Sequence, residues 1–175
     1  MPETGAAGTS LLFLREEQMR QAQDMFFLAW RDFSGSVDPV LAARGLGRAH
    51  HRALHFIGRQ PGLTVTELLA LLCVTKQSLS RVLAVLVEQG LVAQVPGRQD
   101  RRQRLLSLTE SGIALERQLF DRQRERLIAA YREAGGPAVD GFRRVMRGLM
   151  GNAARKTLDQ LHATPPSRVV GSAHE

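Results

Sequence analysis

The sequence predicts a mainly α chain with one small β-hairpin: a winged helix-turn-helix whose N- and C-terminal helices form a dimerisation bundle. Three observations predict it. Two amphipathic helical stripes between Pro61 and Gly90 are separated only by Cys73 and Val74, so the helices must turn sharply against each other and share one core. After Gly90, the apolar runs LVAQV and LLSLT flank the polar segment PGRQDRRQR, the pattern of two antiparallel strands joined by a turn. Long helical patterns over residues 11–34 and 113–162 exceed what a lone winged domain of residues 38–112 needs to bury.

Taken in order, residues 1–10 are small and polar and are expected to be disordered. From Leu11 the chain reads as one long helix. Met19, Ala22, Phe26, Trp30 and Phe33 form an apolar stripe that Leu12, Phe27 and Leu28 widen. So broad a face suits more than one neighbour, one of them a second subunit. Gly35, Ser36, Asp38 and Pro39 then break the helix.

Helical sequence resumes from about Asp38 to Arg59, with Leu46, Ala49, Ala53, Leu54 and Ile57 able to face a core. His50, His51 and His55 stand on it, and the four-residue spacing of His51 and His55 puts them on one face. Three readings are open: ordinary structural or surface histidines, the lining of an effector pocket, or metal ligands. No nearby acid or cysteine completes a metal set, so no metal is expected.

The first helix of the central pair, PGLTVTELLALL, has Thr64 or Thr66 available as its cap. The second has Thr75 at its cap, Leu79, Val82, Leu83 and Leu86 at helical spacing, and Gly90 where it would stop. Its first two turns carry Lys76, Gln77, Ser78, Ser80 and Arg81, side chains that can donate to base edges or phosphates from a major groove. The wing sets Arg98, Arg101, Arg102 and Arg104 against Asp100, four cations and one anion for a net +3. Folding alone explains such a tip poorly; double-stranded DNA is the partner expected. The competing readings are an architectural DNA binder without sequence preference and a winged-helix module that recruits another protein.

The run GLTVTELLALLCVTKQSLSRVLAVLVEQGLVAQVPGRQDRRQRLLSLTESG resembles the DNA-binding core of the MarR family of bacterial transcription regulators. Its most specific piece is DRR at Asp100 to Arg102, followed by Leu108, Thr109 and Gly112 in the places the family uses to open its next helix. Within the family the chain is most similar to the PetP-like proteobacterial group. The resemblance implies that Asp100 holds the wing, that Arg102 touches the minor groove, and that terminal helices interleave across a two-fold axis. It also implies a small-molecule effector cleft, for which Trp30, His50, His51 and His55 and the arginines of the long helix are the candidates. On family grounds repression is expected over activation.

Beyond the wing, Thr109 can cap a long helix with Gly112 early in it and Glu110 at its positive end. Gly135, Gly136 and Pro137 separate it from a last helix, whose stripe is Val139, Phe142, Val145, Met146, Leu149 and Met150. Residues 163–175 read as a loose tail. A two-fold dimer of such chains would favour an inverted-repeat operator with half-sites about one helical turn apart.

The 175 residues carry a formal net charge of +7, supplied by arginine except for Lys76 and Lys156. One cysteine precludes an intrachain disulfide, and its place between two apolar helices predicts a buried, unreactive thiol. Neither a secretory leader nor an apolar run long enough to span a bilayer is present in the sequence, so a cytoplasmic protein is expected. No phosphate loop, nucleophile elbow or paired-carboxylate arrangement points to an enzyme, and no cofactor is expected.

Overall fold

A computed structural model describes residues 14–97 and 103–163. Along the chain the elements are α1 (Glu16–Gly35), α2 (Asp38–Ala42), α3 (Arg48–Arg59), β1 (Leu63–Thr64), α4 (Val65–Leu72) and α5 (Lys76–Glu88). They are followed by β2 (Val92–Pro96), β3 (Arg104–Leu108), α6 (Glu110–Ala134), α7 (Gly136–Leu149) and α8 (Asn152–Ala163).

The core lies where the periodicity put it. Ala53, Leu54 and Ile57 of α3, Leu68 and Leu72 of α4, and Leu79, Leu83 and Leu86 of α5 are buried together with Leu106 of β3 and Leu115 and Leu119 of α6. Each fully buried leucine contributes about 1.5–3 kcal/mol. Helix α3 is the hub, packing on α2, α4, α5, β3 and α6.

Local chemistry sets the boundaries of the central pair. Thr64 caps α4 by accepting from Glu67 N at 3.2 Å, while the Glu67 carboxylate accepts from Thr64 N at 2.8 Å, a reciprocal capping box. Thr75 caps α5 by accepting from Ser78 N at 3.2 Å. Between the helices the axis bends by 116°, with Cys73 in the left-handed region at φ 50°. That conformation turns the thiol outward: Cys73 is exposed, contrary to the buried thiol expected from its apolar neighbours.

Strands β2 and β3 pair antiparallel from Val92 opposite Leu108 to Pro96 opposite Arg104, and Gly97 N closes the hairpin on Gln103 O at 2.9 Å. The sheet has a third member that the sequence reading missed. Leu63 and Thr64 pair with Leu106 and Leu105, giving the order β1-β3-β2. Two residues are too short to display an alternating pattern.

Two expected helices are each divided. The 38–59 segment breaks between α2 and α3, where Gly45 adopts φ 65° and Leu46 N bonds back to Leu41 O at 2.9 Å. The last helix breaks at Met150–Gly151, and the turn is fixed by Arg147, whose guanidinium meets Asp159 at 2.8 and 3.0 Å. The expected disorder of residues 1–10 and the tail from residue 164 lie outside the described residues, as do Leu11 to Phe13; Ala163 closes α8.

Candidate nucleic-acid interface and adjoining cleft

Helix α5 divides cleanly into two faces. Leu79, Leu83 and Leu86 anchor it in the core, leaving Lys76, Gln77, Ser78, Ser80 and Arg81 exposed along its first turns. One of these has a local partner: Ser78 Oγ accepts from Thr75 Oγ1 at 2.9 Å, and its backbone N–H is held by the cap. Gln77 and Arg81, four residues apart, share one outward face, as do Lys76 and Ser80. With Leu79 fixed inside, those side chains cannot rotate inward without dismantling the core.

Strand β2 of the wing packs on α5. Arg104 is exposed on β3, opposite Pro96 in the strand pair farthest from the hairpin root. Arg98, Asp100, Arg101 and Arg102 lie outside the described residues. The hairpin root is tied to α6: Thr109 Oγ1 donates to Gly90 O at 2.6 Å and accepts from Gly112 N at 3.0 Å, while Thr109 N donates to Leu91 O at 3.1 Å. The wing is therefore braced at its root, where β2 begins and β3 ends.

A cleft of about 570 Å3 opens where α1, α3 and α6 meet. Trp30 and Phe33 come from α1, His51, Arg52, His55 and Phe56 from α3, and Glu116 and Phe120 from α6. Trp30, His51 and His55 thus sit together, whereas His50 is absent from the lining: its Nδ1 accepts from Gly47 N at 3.0 Å and caps α3. The arginines at the cleft, Arg48 and Arg52, also belong to α3. Glu116, whose carboxylate lies 3.6 Å from His55 Nδ1, carried no signal in the sequence because its partner is on another helix. Among the described residues no group of three or more His, Cys, Asp or Glu is placed to hold a metal ion.

The histidines differ in environment. Burial pushes the pKa of His51 down, and the neighbouring His55 adds to that, against an opposing pull from Glu116. Burial also lowers His50. The Gly47 bond needs a free lone pair on Nδ1, available when His50 is neutral with its proton on Nε2.

Comparison with known proteins places this architecture. A MarR family profile matches residues 44–103. Over 162 residues, 92% of this chain and 98% of the relative, the sequence is 51% identical to the HTH-type transcriptional regulator PetP of Rhodobacter capsulatus. The chain belongs to the MarR family. As a MarR-family protein it is a non-enzymatic, DNA-binding transcription regulator. Solved structures share the fold at low identity. A SlyA-like transcription regulator from Listeria monocytogenes matches with a TM-score of 0.64 and 17% identity over 83% of this chain and 97% of its own. A mutant MarR from E.coli complexed with operator DNA matches with a TM-score of 0.61 and 20% identity over 80% and 99%. In this MarR-family chain no single helix among the described residues is long and apolar enough to cross a membrane.

Proposed function

We propose that this MarR-family regulator binds an inverted-repeat operator as a homodimer and that a small molecule entering the α1–α3–α6 cleft modulates the complex. The observation that carries the reading is the split character of α5, whose polar side chains are exposed while its leucines are locked in the core. In this arrangement Gln77 and Arg81 read bases in the major groove, Lys76, Ser78 and Ser80 position the helix on the backbone, and the wing residues Arg98, Arg101, Arg102 and Arg104 follow phosphates or enter the minor groove, with Asp100 holding the wing.

Dimerisation is supported by what the terminal helices leave uncovered. Helix α7 has an apolar stripe yet buries no residue within the single chain; Phe142, Val145 and Leu149 are exposed. On α1, Met25, Phe26, Phe27, Leu28 and Trp30 are exposed as well. A monomer seldom leaves so many large apolar side chains in water, and a two-fold partner would cover them. We therefore assign residues 14–34 and 113–162 to the dimerisation region and 38–112 to the DNA-binding region.

The deciding experiment is selection of bound fragments from a genomic DNA library by the purified protein near physiological salt. An enriched inverted repeat is the expected outcome, and its position relative to promoters gives the sign of control, with repression the expectation. Retention without an enriched sequence would replace this reading by an architectural one.

A further inference from the structure

Helix α3 holds the helix-turn-helix core against α6, yet it carries three histidines, three arginines and no acid. Arg48, His50 and His51 occupy its first turn, where the unpaired N–H groups make added positive charge unfavourable. Asp38 of α2 offsets Arg48 through bonds of 2.6 and 3.0 Å. On the cleft side, His51, His55, Arg48 and Arg52 of α3 face one carboxylate, Glu116 of α6, while α1 lines the cleft with Trp30, Phe33 and Ser34 and no charge. The recess beyond Arg48 adds Arg31, Asp32 and Arg126, of which Arg31 and Asp32 pair at 2.9 Å. The other elements packed on α3, namely α4, α5 and β3, contribute no residue to the cleft.

We propose that α3 is a proton-responsive joint: acidification loosens its packing against α6 by removing the His50 cap and by placing an imidazolium at His51, in a cleft that holds the single carboxylate of Glu116. Three effects share one sign. Protonating His50 at Nδ1 abolishes the acceptor for Gly47 N. Any proton added within the first turn opposes the helix dipole. A charge on His51 would have Glu116 as the one carboxylate among the cleft-lining residues, with Arg48 and Arg52 beside it. The depressed pKa of His51, caused first by burial, supports this sign: a base whose folded pKa is lowered stabilises the fold above its ordinary value and loses that contribution as pH falls. Close contact makes the joint sensitive. Gly58, one turn beyond His55, lets α3 approach α6, since a Cβ there would meet Leu108 Cδ1 at 3.0 Å and Glu116 Cγ at 3.6 Å.

Hydrogen exchange followed by mass spectrometry at pH 7.5 and 5.5, corrected for intrinsic rates, tests this without reference to DNA. Helix α5, which contains no histidine, serves as the internal standard. Protection in α3 is expected to fall on acidification by about fivefold relative to α5, the factor that loss of one helix cap gives. The double variant His50→Asn, His51→Gln should keep its protection at pH 5.5, and Glu116→Gln should deepen the loss. An undiminished α3 in the wild type, or an equal acid loss in the double variant, overturns the proposal. If the double variant is already unprotected at pH 7.5, Glu116→Gln decides: a deeper loss upholds the joint and an unchanged one overturns it.

Discussion

Gly112 lies so close to Leu91 that an ideal Cβ on it would overlap the Leu91 carbonyl oxygen and crowd Leu108 Cβ at 3.3 Å. The same carbonyl accepts from Thr109 N, so one backbone group receives the start of α6 at the root of the wing. Here glycine is required by space, because its neighbour is backbone and cannot swing aside.

Gly112→Ala should therefore destabilise the fold by at least the 1–3 kcal/mol typical of overpacking, about that order or more. Gly58→Ala should cost less, about 1 kcal/mol, because the groups it would meet are the flexible ends of Leu108 and Glu116. Urea unfolding of both variants checks the ranking; equal costs would refute the backbone argument.

The Thr64–Glu67 box makes a pH-dependent contribution. Hydrogen bonds from the Thr64 side chain and backbone hold the Glu67 carboxyl below its ordinary value of 4.5. A depressed acid stabilises above its unfolded pKa and loses that contribution as pH falls through the folded one. Thr64→Ala should cost about 1 kcal/mol at pH 7, as for other lost caps. Its deficit should shrink in acid below about pH 4.5 in a series of melts. A deficit that stayed constant would place the cost elsewhere.

On DNA, the wing arginines and the exposed amide of α5 should behave differently. Arg104→Ala and Arg102→Ala should each lower the slope of log affinity against log salt by about 0.9, with little change in site preference. Gln77→Ala should leave that slope intact and cost about 1–3 kcal/mol of discrimination at one base position. Titrations of the selected operator and single-base variants across a salt series separate the two; a salt slope that fell for Gln77→Ala would make it a backbone contact.

Sedimentation tests the uncovered terminal helix. Replacing both Val145 and Leu149, exposed on α7, with glutamate should halve the assembly mass while the near-native helicity of the winged region persists. A dimer that survived both charges would move the interface off α7.

Much of the fold was legible because it rests on local chemistry. The stripe Leu79, Leu83, Leu86 fixed which face of α5 is exposed, and Thr75, Thr109 and Gly90 marked helix ends through caps and a positive φ. The candidate DNA-contacting side chains of α5 followed from that stripe alone. The cleft is legible only in part: the sequence points to Trp30, His51 and His55, but Phe33, Phe56, Arg48, Arg52, Glu116 and Phe120 line it with them, brought together from three helices. His50, adjacent to His51, went instead to the cap of α3.

By itself the sequence determined the helix-turn-helix, the wing strands and the polar face of α5, since periodicity, capping residues and turn residues act within a few positions of one another. Tertiary structure decided what depends on distant segments meeting: the third strand, which exists only because Leu63 and Thr64 find β3, and the facing of His55 by Glu116 across α3 and α6. It also turned the Cys73 thiol outward, because a sharp bend between two packed helices imposed a left-handed backbone that hydropathy does not encode.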